Sequence, residues 1–414
     1  MDKCSEVFVG IDTSKLRNAV AVAEAGRGGE VRFLGEIDTT DAATRKLVAK
    51  LAVKYSRLTF CYEAGPTGYG LYRLLKSLGH DCIVVAPSLI PKKAGNHVKT
   101  NRRDAMDLAR LLRADELTAI WVPDEHHEAM RDLSRARETA MDDLKRKRQQ
   151  ISSQLLRLGL HYPGKTTWGR AHRRWLAGVK IPSRVQRIVF EEALLAERQT
   201  QDRVDRLAQA IRDALPDWSL APLVAALQAL RGVKLIAAVT IAAEIGDLQR
   251  FAGADDLMGY LGLVPSERST GDSVKRGGIT KAGNRRARRI LVEASWTYRH
   301  PPRVGRDKLA LVEAAPKAVR AIAWKAQTRL STRYRALSKK GKRPTVVVVA
   351  IARELAGFVW AIGHEMAQPA GTAGRKGEGA RGSPVRSSLP SDASTLNAKP
   401  KGAREERGLD RRPV

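Results

Sequence analysis

Cysteine is almost missing from this chain. Cys4, Cys61 and Cys82 are its three among 414 residues, they form no CxxC pair, and none of the eight His joins them in a zinc-like spacing. That excludes a disulfide framework and the usual structural zinc sites, and it fits a reducing cytoplasm. The opening residues, MDKCSEVFVGIDTSK, lack the apolar core of a signal peptide. A run of about eighteen apolar residues is also missing, which argues against a membrane span or a membrane partner. Acids are few beside bases: 44 Asp and Glu against 74 Lys and Arg, a formal net charge of +30.

That excess points to a polyanionic partner, because neutralising phosphates releases counterions and supplies much of the binding free energy. A basic tail alone does not explain it. Residues 367–414 hold ten Lys/Arg and five Asp/Glu, so +25 belongs to the rest of the chain. Apolar residues make up 43%, ordinary for a globular protein, and the length favours two or three domains over one core.

The pattern along the chain is α/β plus α. Val7–Asp12, Ala19–Ala23 and Val31–Ile37 are strand-like; Asp41–Tyr55 has helical spacing; Leu58–Glu63 and Asp81–Val85 are short buried strands around a helix at Gly70–Leu78; Arg103–Arg113 is a further helix. This predicts a mixed sheet with helices, in the order of an RNase H-like core. Next come two charged helices with apolar seams, Leu144, Ile151, Leu155 and Leu158 on one, Val204, Leu207 and Ile211 on the other. A basic connector, HYPGKTTWGRAHRRWLAGVK, joins them, and Arg137 and Arg148 interrupt the first seam, which weighs against a long coiled coil and for an intramolecular hairpin. Beyond residue 221 the pattern is mostly helical. It has a Gly-containing turn at Gly232-Val233, suited to a helix-hairpin-helix-like element, and a Gly-rich basic loop over Ser266–Gly283. The expected organisation is 1–123, 124–220 (helical, oligomerising), 221–366 and a disordered tail, 367–414.

Two groups of residues carry chemistry. Asp12 and Glu63 each end a predicted strand, and Asp104 lies near a helix start with Asn101 and Asp107 three residues to either side, roughly on one face. Phosphodiester cleavage with two Mg²⁺ (or Mn²⁺) ions needs several hard oxygen ligands converging on them. The basic loop offers Ser266, Ser269, Thr270, Ser273 and Thr280 among Lys275, Arg276, Lys281 and the arginines at 285, 286, 288 and 289. A Ser or Thr nucleophile needs such positive surroundings, and Asn284 is placed to cap the next helix.

GIDTSK, YEAGPTG, VKTNRRDAMDLARLLRA, LRGVKLIAAVTIAAEIGDLQRF, YLGLVPSE and GGITKAGNRRARRILVEASW, in this order over residues 6–363, resemble the DEDD-type insertion-sequence transposases, the bridge-RNA-guided recombinases. The resemblance implies a RuvC-like domain, a coiled-coil segment and a C-terminal transposase domain with a nucleophilic serine. It also implies a homo-oligomer acting with a structured guide RNA on element and target DNA, in the nucleoid of a prokaryotic cytoplasm. Asp12, Glu63 and Asp104 match the first, second and fourth acids of the family's tetrad. The third falls on Asn101, which keeps an oxygen but loses a charge unless Asp107 compensates. The serine falls on Thr270, with Ser269 adjacent; the β-methyl of Thr crowds an in-line attack. Lys99, Arg102, Arg103, Lys275, Arg276, Lys281, Arg285 and Arg286 are the expected nucleic-acid contacts.

Three readings follow: a recombinase with a Ser/Thr nucleophile, a RuvC-like nuclease that uses water, and a decayed copy that only binds. All three place binding outside the tail. Deleting residues 367–414 is therefore expected to leave steeply salt-dependent DNA affinity in place, and a titration series at rising KCl checks it.

Overall fold

The computed structural model of the chain describes residues 4–91, 100–270 and 273–367. Lys99 and the tail from residue 368 lie outside the described residues, and Ala367 is the last residue of a helix rather than the first of a tail.

The chain opens with three strands, β1 (Cys4–Asp12), β2 (Arg17–Glu24) and β3 (Val31–Asp38). Helix α1 (Asp41–Lys54) follows, capped by the Thr40 hydroxyl, which accepts from the Ala43 N–H. Strand β4 (Tyr55–Glu63), helix α2 (Gly70–Ser77), strand β5 (Asp81–Val85) and helix α3 (Asn101–Arg113) complete this part. The sheet order is β3-β2-β1-β4-β5, with β1, β4 and β5 parallel and β2 and β3 antiparallel. The mixed sheet expected from the sequence is present, with strand ends shifted by up to three residues.

Alternation along the strands sorts their side chains onto two faces. Val7, Val9 and Ile11 join Leu58, Phe60 and Tyr62 beneath α1, with Leu47, Val48 and Leu51 from the helix. The opposite face is built small: Ala19, Ala21 and Ala23 on β2 meet Ala105 and Ala109 on α3. Gly10 completes it. A Cβ there would stand 2.3 Å from the Ala105 carbonyl oxygen and 2.4 Å from the Ala109 nitrogen, so helix backbone rests directly on strand backbone.

Helix α4 (Glu125–Arg157) starts at Asp124, whose carboxylate accepts from the His127 N–H at 2.7 Å. It runs for 33 residues, about 50 Å. After the short α5 (Arg170–Gly178), helix α6 (Arg184–Ala214) packs back along it. The intramolecular hairpin is thus observed, and the interrupted seam has a cause. Arg148 donates to the buried Glu197 at 2.8 Å and to Gln201 at 2.7 Å, while Arg173 from the connector grips the same carboxylate at 3.0 and 3.1 Å. The Arg137 Nε is buried without a hydrogen-bond partner among the described residues.

The remaining helices share one core. They are α7 (Ala221–Leu227), α8 (Leu235–Ile245), α9 (Ala254–Tyr260), α10 (Arg285–Ser295), α11 (Arg306–Ala314), α12 (Lys317–Lys339) and α13 (Pro344–Ala367). Between α9 and α10 the expected basic loop is instead an antiparallel hairpin, β6 (Pro265–Thr270) with β7 (Ser273–Ile279). Its Gly, Ser and Lys content masked its few strand formers, such as Thr270 and Val274. Helix α13 also corrects an expectation: by length and composition it is apolar enough to cross a membrane. Here Val347, Ile351, Leu355, Val359 and Ile362 are buried in the shared core, and its Glu354 takes ion pairs from Arg329 (2.7 Å) and Arg333 (2.8 Å).

The close approach at Gly10 gives a test. Gly10→Ala forces α3 off the sheet and is expected to cost about 1–3 kcal/mol. Gly70→Ala, at a helix start with open space for a Cβ, should leave stability level or slightly raised. Chemical denaturation of both variants checks the contrast.

Candidate active site

Strands β1 and β4 run parallel with Ile11 beside Tyr62, so Asp12 and Glu63 are the next pair at the carboxyl ends of adjacent strands. Strands in a sheet lie about 4.8 Å apart. By alternation, Asp12 shares a face with Gly10, and Glu63 with Cys61, whose thiol contacts the Leu108 carbonyl on α3. Both acids therefore belong to the face that α3 covers.

The direction of α3 brings its N-terminus to the same rim. At its far end Arg113 donates to the carbonyls of Glu24 (3.2 Å) and Gly29 (2.6 Å), beside the start of β1. Since Ala105 and Ala109 straddle Gly10, the first turn, with Asn101 and Asp104, lies toward the Asp12 end. Asn101 is four residues before Ala105 and seven before Leu108, so it continues the sheet-facing stripe beyond the rim. Asp107 lies off that stripe and pairs with Arg110 at 2.6 Å. Hard oxygen donors at two strand ends and a helix start are the donor chemistry a divalent cation takes. The side chains themselves are not gathered: among the described residues no three His, Cys, Asp or Glu form a metal-holding group.

The second constellation sits on the exposed β6–β7 hairpin. Ser269 and Thr270 end β6, and Thr270 pairs with Ser273. The Ser269 hydroxyl donates to Glu267 at 2.8 Å, and Arg276 donates to the other oxygen of that carboxylate at 3.0 Å. Those two hydrogen bonds, Arg276 first, hold the Glu267 carboxyl below the usual range. Of the expected nucleic-acid contacts, Lys275, Lys281 and Arg285 are exposed. Arg102 is exposed as well, with its guanidinium over the Phe33 ring, while Arg103 is exposed but already partnered. Arg276 is tied to Glu267 and Arg286 to Glu138.

A cleft of about 430 Å³ between α4, α8 and α10 holds residues that the sequence reading passed over: Arg135, Glu138 and Glu244. Glu244 is buried in the apolar run LIAAVTIAAEI. Arg135 grips it with two hydrogen bonds, 2.7 and 2.9 Å, and the Asn284 amide adds a third at 2.7 Å. Burial pushes the Glu244 carboxyl up, but these hydrogen bonds outweigh it and leave it below the ordinary range. Asn284 works twice, because its carbonyl oxygen caps α10 by accepting from Arg286 and Ala287 at 3.0 Å, the cap expected from the sequence. Glu138 pairs with Arg286 and, at 2.9 Å, with Arg289. An acid closing an otherwise apolar helix was the signal for this network, since a buried carboxylate requires a partner.

Two family models match the chain, one described as a transposase over residues 9–159 and one as the transposase IS116/IS110/IS902 family over residues 224–309. The first spans the acidic rim and α4; the second spans the β6–β7 hairpin and Asn284. Over 363 residues the chain is 57% identical to a putative transposase, y4qE, of Sinorhizobium fredii, covering 88% of this chain and 90% of that one. The chain belongs to the IS110/IS116 transposase family. The transposase for insertion sequence element IS1533 of Leptospira borgpetersenii is 29% identical over 347 residues, covering 82% of this chain and 98% of that one. A second Sinorhizobium fredii protein, putative transposase y4rJ, is 26% identical over 72% of this chain and 81% of its own. This transposase therefore carries both family regions in one chain, the acids in the first and the hydroxyls in the second.

The cleft network of this transposase is testable apart from catalysis. Arg135→Met leaves the buried Glu244 carboxylate short of its main partner and is expected to cost about 3 kcal/mol. Because its folded value lies below the ordinary 4.5, Glu244 contributes full stability above that pH and loses it as the pH falls further. Glu244→Gln should flatten that acid limb, as urea midpoints between pH 3 and 6 would report.

Proposed function

We propose that this transposase is an RNA-guided DNA recombinase that moves its own element. Its first region would be RNase H-like and RuvC-like, which the sheet order β3-β2-β1-β4-β5 supports. Asp12, Glu63 and Asp104, with Asn101 as fourth ligand in preference to Asp107, would hold Mg²⁺. The bound ion would stabilise charge on the scissile phosphate and on the departing strand oxygen. The observation that carries this reading is the parallel register that sets Asp12 beside Glu63 on the face where α3 begins.

The hydroxyl of Ser269 or Thr270 attacks phosphorus. A new O–P bond forms as the bond to the departing strand oxygen breaks; the hydroxyl proton leaves and the departing oxygen takes one up. The resulting protein–DNA ester conserves bond energy, so strands are exchanged and resealed without ATP. The Ser269–Glu267 hydrogen bond favours Ser269, because it orients that hydroxyl and offers a carboxylate for its proton. The hairpin has hydroxyls and cations without metal ligands, and the rim has acids without a nucleophile. We therefore assign the complete site to an oligomer in which guide RNA and DNA bring hairpin and rim together. The segment 124–220 would connect the two parts, and Arg102, Arg103, Lys275, Lys281 and Arg285 would meet nucleic-acid backbone.

Denaturing electrophoresis of the protein with its RNA, labelled donor DNA and Mg²⁺ tests the chemistry. A covalent adduct is expected in wild type, lost in Ser269→Ala and reduced in Thr270→Ala. Asp12→Asn should remove adduct and cleavage together. Cleavage that persists without adduct in the Ser269/Thr270 double variant would transfer the case to water as nucleophile, and binding without cleavage under any metal would mark a copy that only binds.

A further inference from the structure

The turn between α7 and α8, residues 228–234, closes around a cation. Its carbonyl oxygens at Gln228, Leu230 and Val233 converge on the Lys308 Nζ at 2.7, 2.5 and 2.8 Å. An ammonium has three N–H donors, and here each has its own carbonyl. No carboxylate pairs with this Nζ among the described residues; the neighbouring Asp307 pairs with Lys234 instead, at 3.3 Å. Burial pushes the Lys308 amine down to about 8, partly opposed by the neighbouring Asp307 charge.

Lys308 comes from α11, which has no buried residue of its own. On this mostly exposed helix the half-buried Lys308 ammonium is turned inward onto the turn. The turn is held on its other side by backbone contact: a Cβ at Gly232, with φ +81°, would lie 2.5 Å from the Ala294 carbonyl oxygen on α10. Carbonyls are thus forced together, and like-oriented dipoles at that spacing repel unless a positive charge sits among them. Rings of carbonyls that replace a hydration shell are what K⁺ and NH₄⁺ occupy in proteins.

We propose that the α7–α8 turn is a monovalent-cation site that the chain fills with its own Lys308 ammonium, and that a variant lacking the amine takes up K⁺ or NH₄⁺ in its place. This stands independently of the proposed catalytic chemistry. Lys308 is a positioning residue: it holds the turn in the shape that lets α8 and α10 meet.

The test uses the full chain and compares Lys308→Ala, which opens the site to an ion, with Lys308→Met, which fills the space of the stem and leaves no room for one. Melting temperatures are read in KCl, NH₄Cl and choline chloride at equal ionic strength. Wild type is expected to melt alike in all three. Lys308→Ala should melt several degrees lower in choline and recover most of the loss in K⁺ or NH₄⁺. Lys308→Met should be destabilised equally in all three salts. If Lys308→Ala does not fold in choline, soluble yield on refolding in KCl against choline reads the same contrast. An Ala variant indifferent to the cation by either measure, or as stable in choline as wild type, overturns the proposal.

Discussion

Where α3 crosses β1, helix backbone and strand backbone meet without a side chain between them. The position that permits this is Gly10, and the Ala residues around it on β2 and α3 keep the rest of the contact equally thin. Several consequences follow from that one approach. The helix axis is fixed close to the sheet, so its first turn clears the rim by little. The parity of β1 places Asp12 on the same side as Gly10, and the parallel register adds Glu63. Arg113 then fixes the sense of the helix by tying its far end to Glu24 and Gly29. A bulkier face would lift α3 off the sheet and its first turn away from the rim.

The second organising element is α4, which packs on one part of the fold after another along its length. Near its start it docks on α8: His127 and Arg131 both bond the Ala243 carbonyl, at 2.9 and 3.0 Å, and Ser134 meets Thr240. Further along, Arg135 and Glu138 reach the cap of α10. Beyond these, Arg148 enters the hairpin with α6. The helix changes partner along its length, and each change is marked by a buried charge with a full set of ligands. Glu244 and Glu197 are both of this kind. Such groups add little net stability against apolar replacements, but they tolerate few alternative packings. A long helix with a repeating apolar seam can slide by a turn; a seam broken by Arg148–Glu197 is matched at one register.

The legible parts of the sequence were those set by period. Val7, Val9 and Ile11 alternate, and Leu144, Ile151 and Leu155 recur at helical spacing, so sheet and hairpin helices were both visible. The two strand-end acids were visible for the same reason, since an acid closing an apolar run has few places to go except the rim. The β6–β7 ribbon was not visible, because nearly every residue in it is exposed and two-residue alternation has no buried face to register against. The Glu244 network was half visible. An acid inside LIAAVTIAAEI demanded a partner, but the partner is Arg135, 109 residues away, and only tertiary contact selects it from so many arginines.

That abundance also limits what composition alone says about contact. Pairing conserves net charge, so the far field of this chain is still that of a strongly basic body, and it draws a polyanion over a Debye length or more. Close contact is a different matter. Arg276 and Arg286 looked, in the sequence, as suited to phosphate as their neighbours. In the fold the first orients Glu267 behind Ser269 and the second braces Glu138 across the cleft. A phosphate that claimed either would have to displace a carboxylate that is already in place. Lys275, Lys281 and Arg285 carry no such debt among the described residues, and they flank the hydroxyl-bearing hairpin on β7 and at the start of α10. Attraction is thus spread over the whole body, and Lys275, Lys281 and Arg285 are among the exposed cations that no carboxylate claims in the described residues.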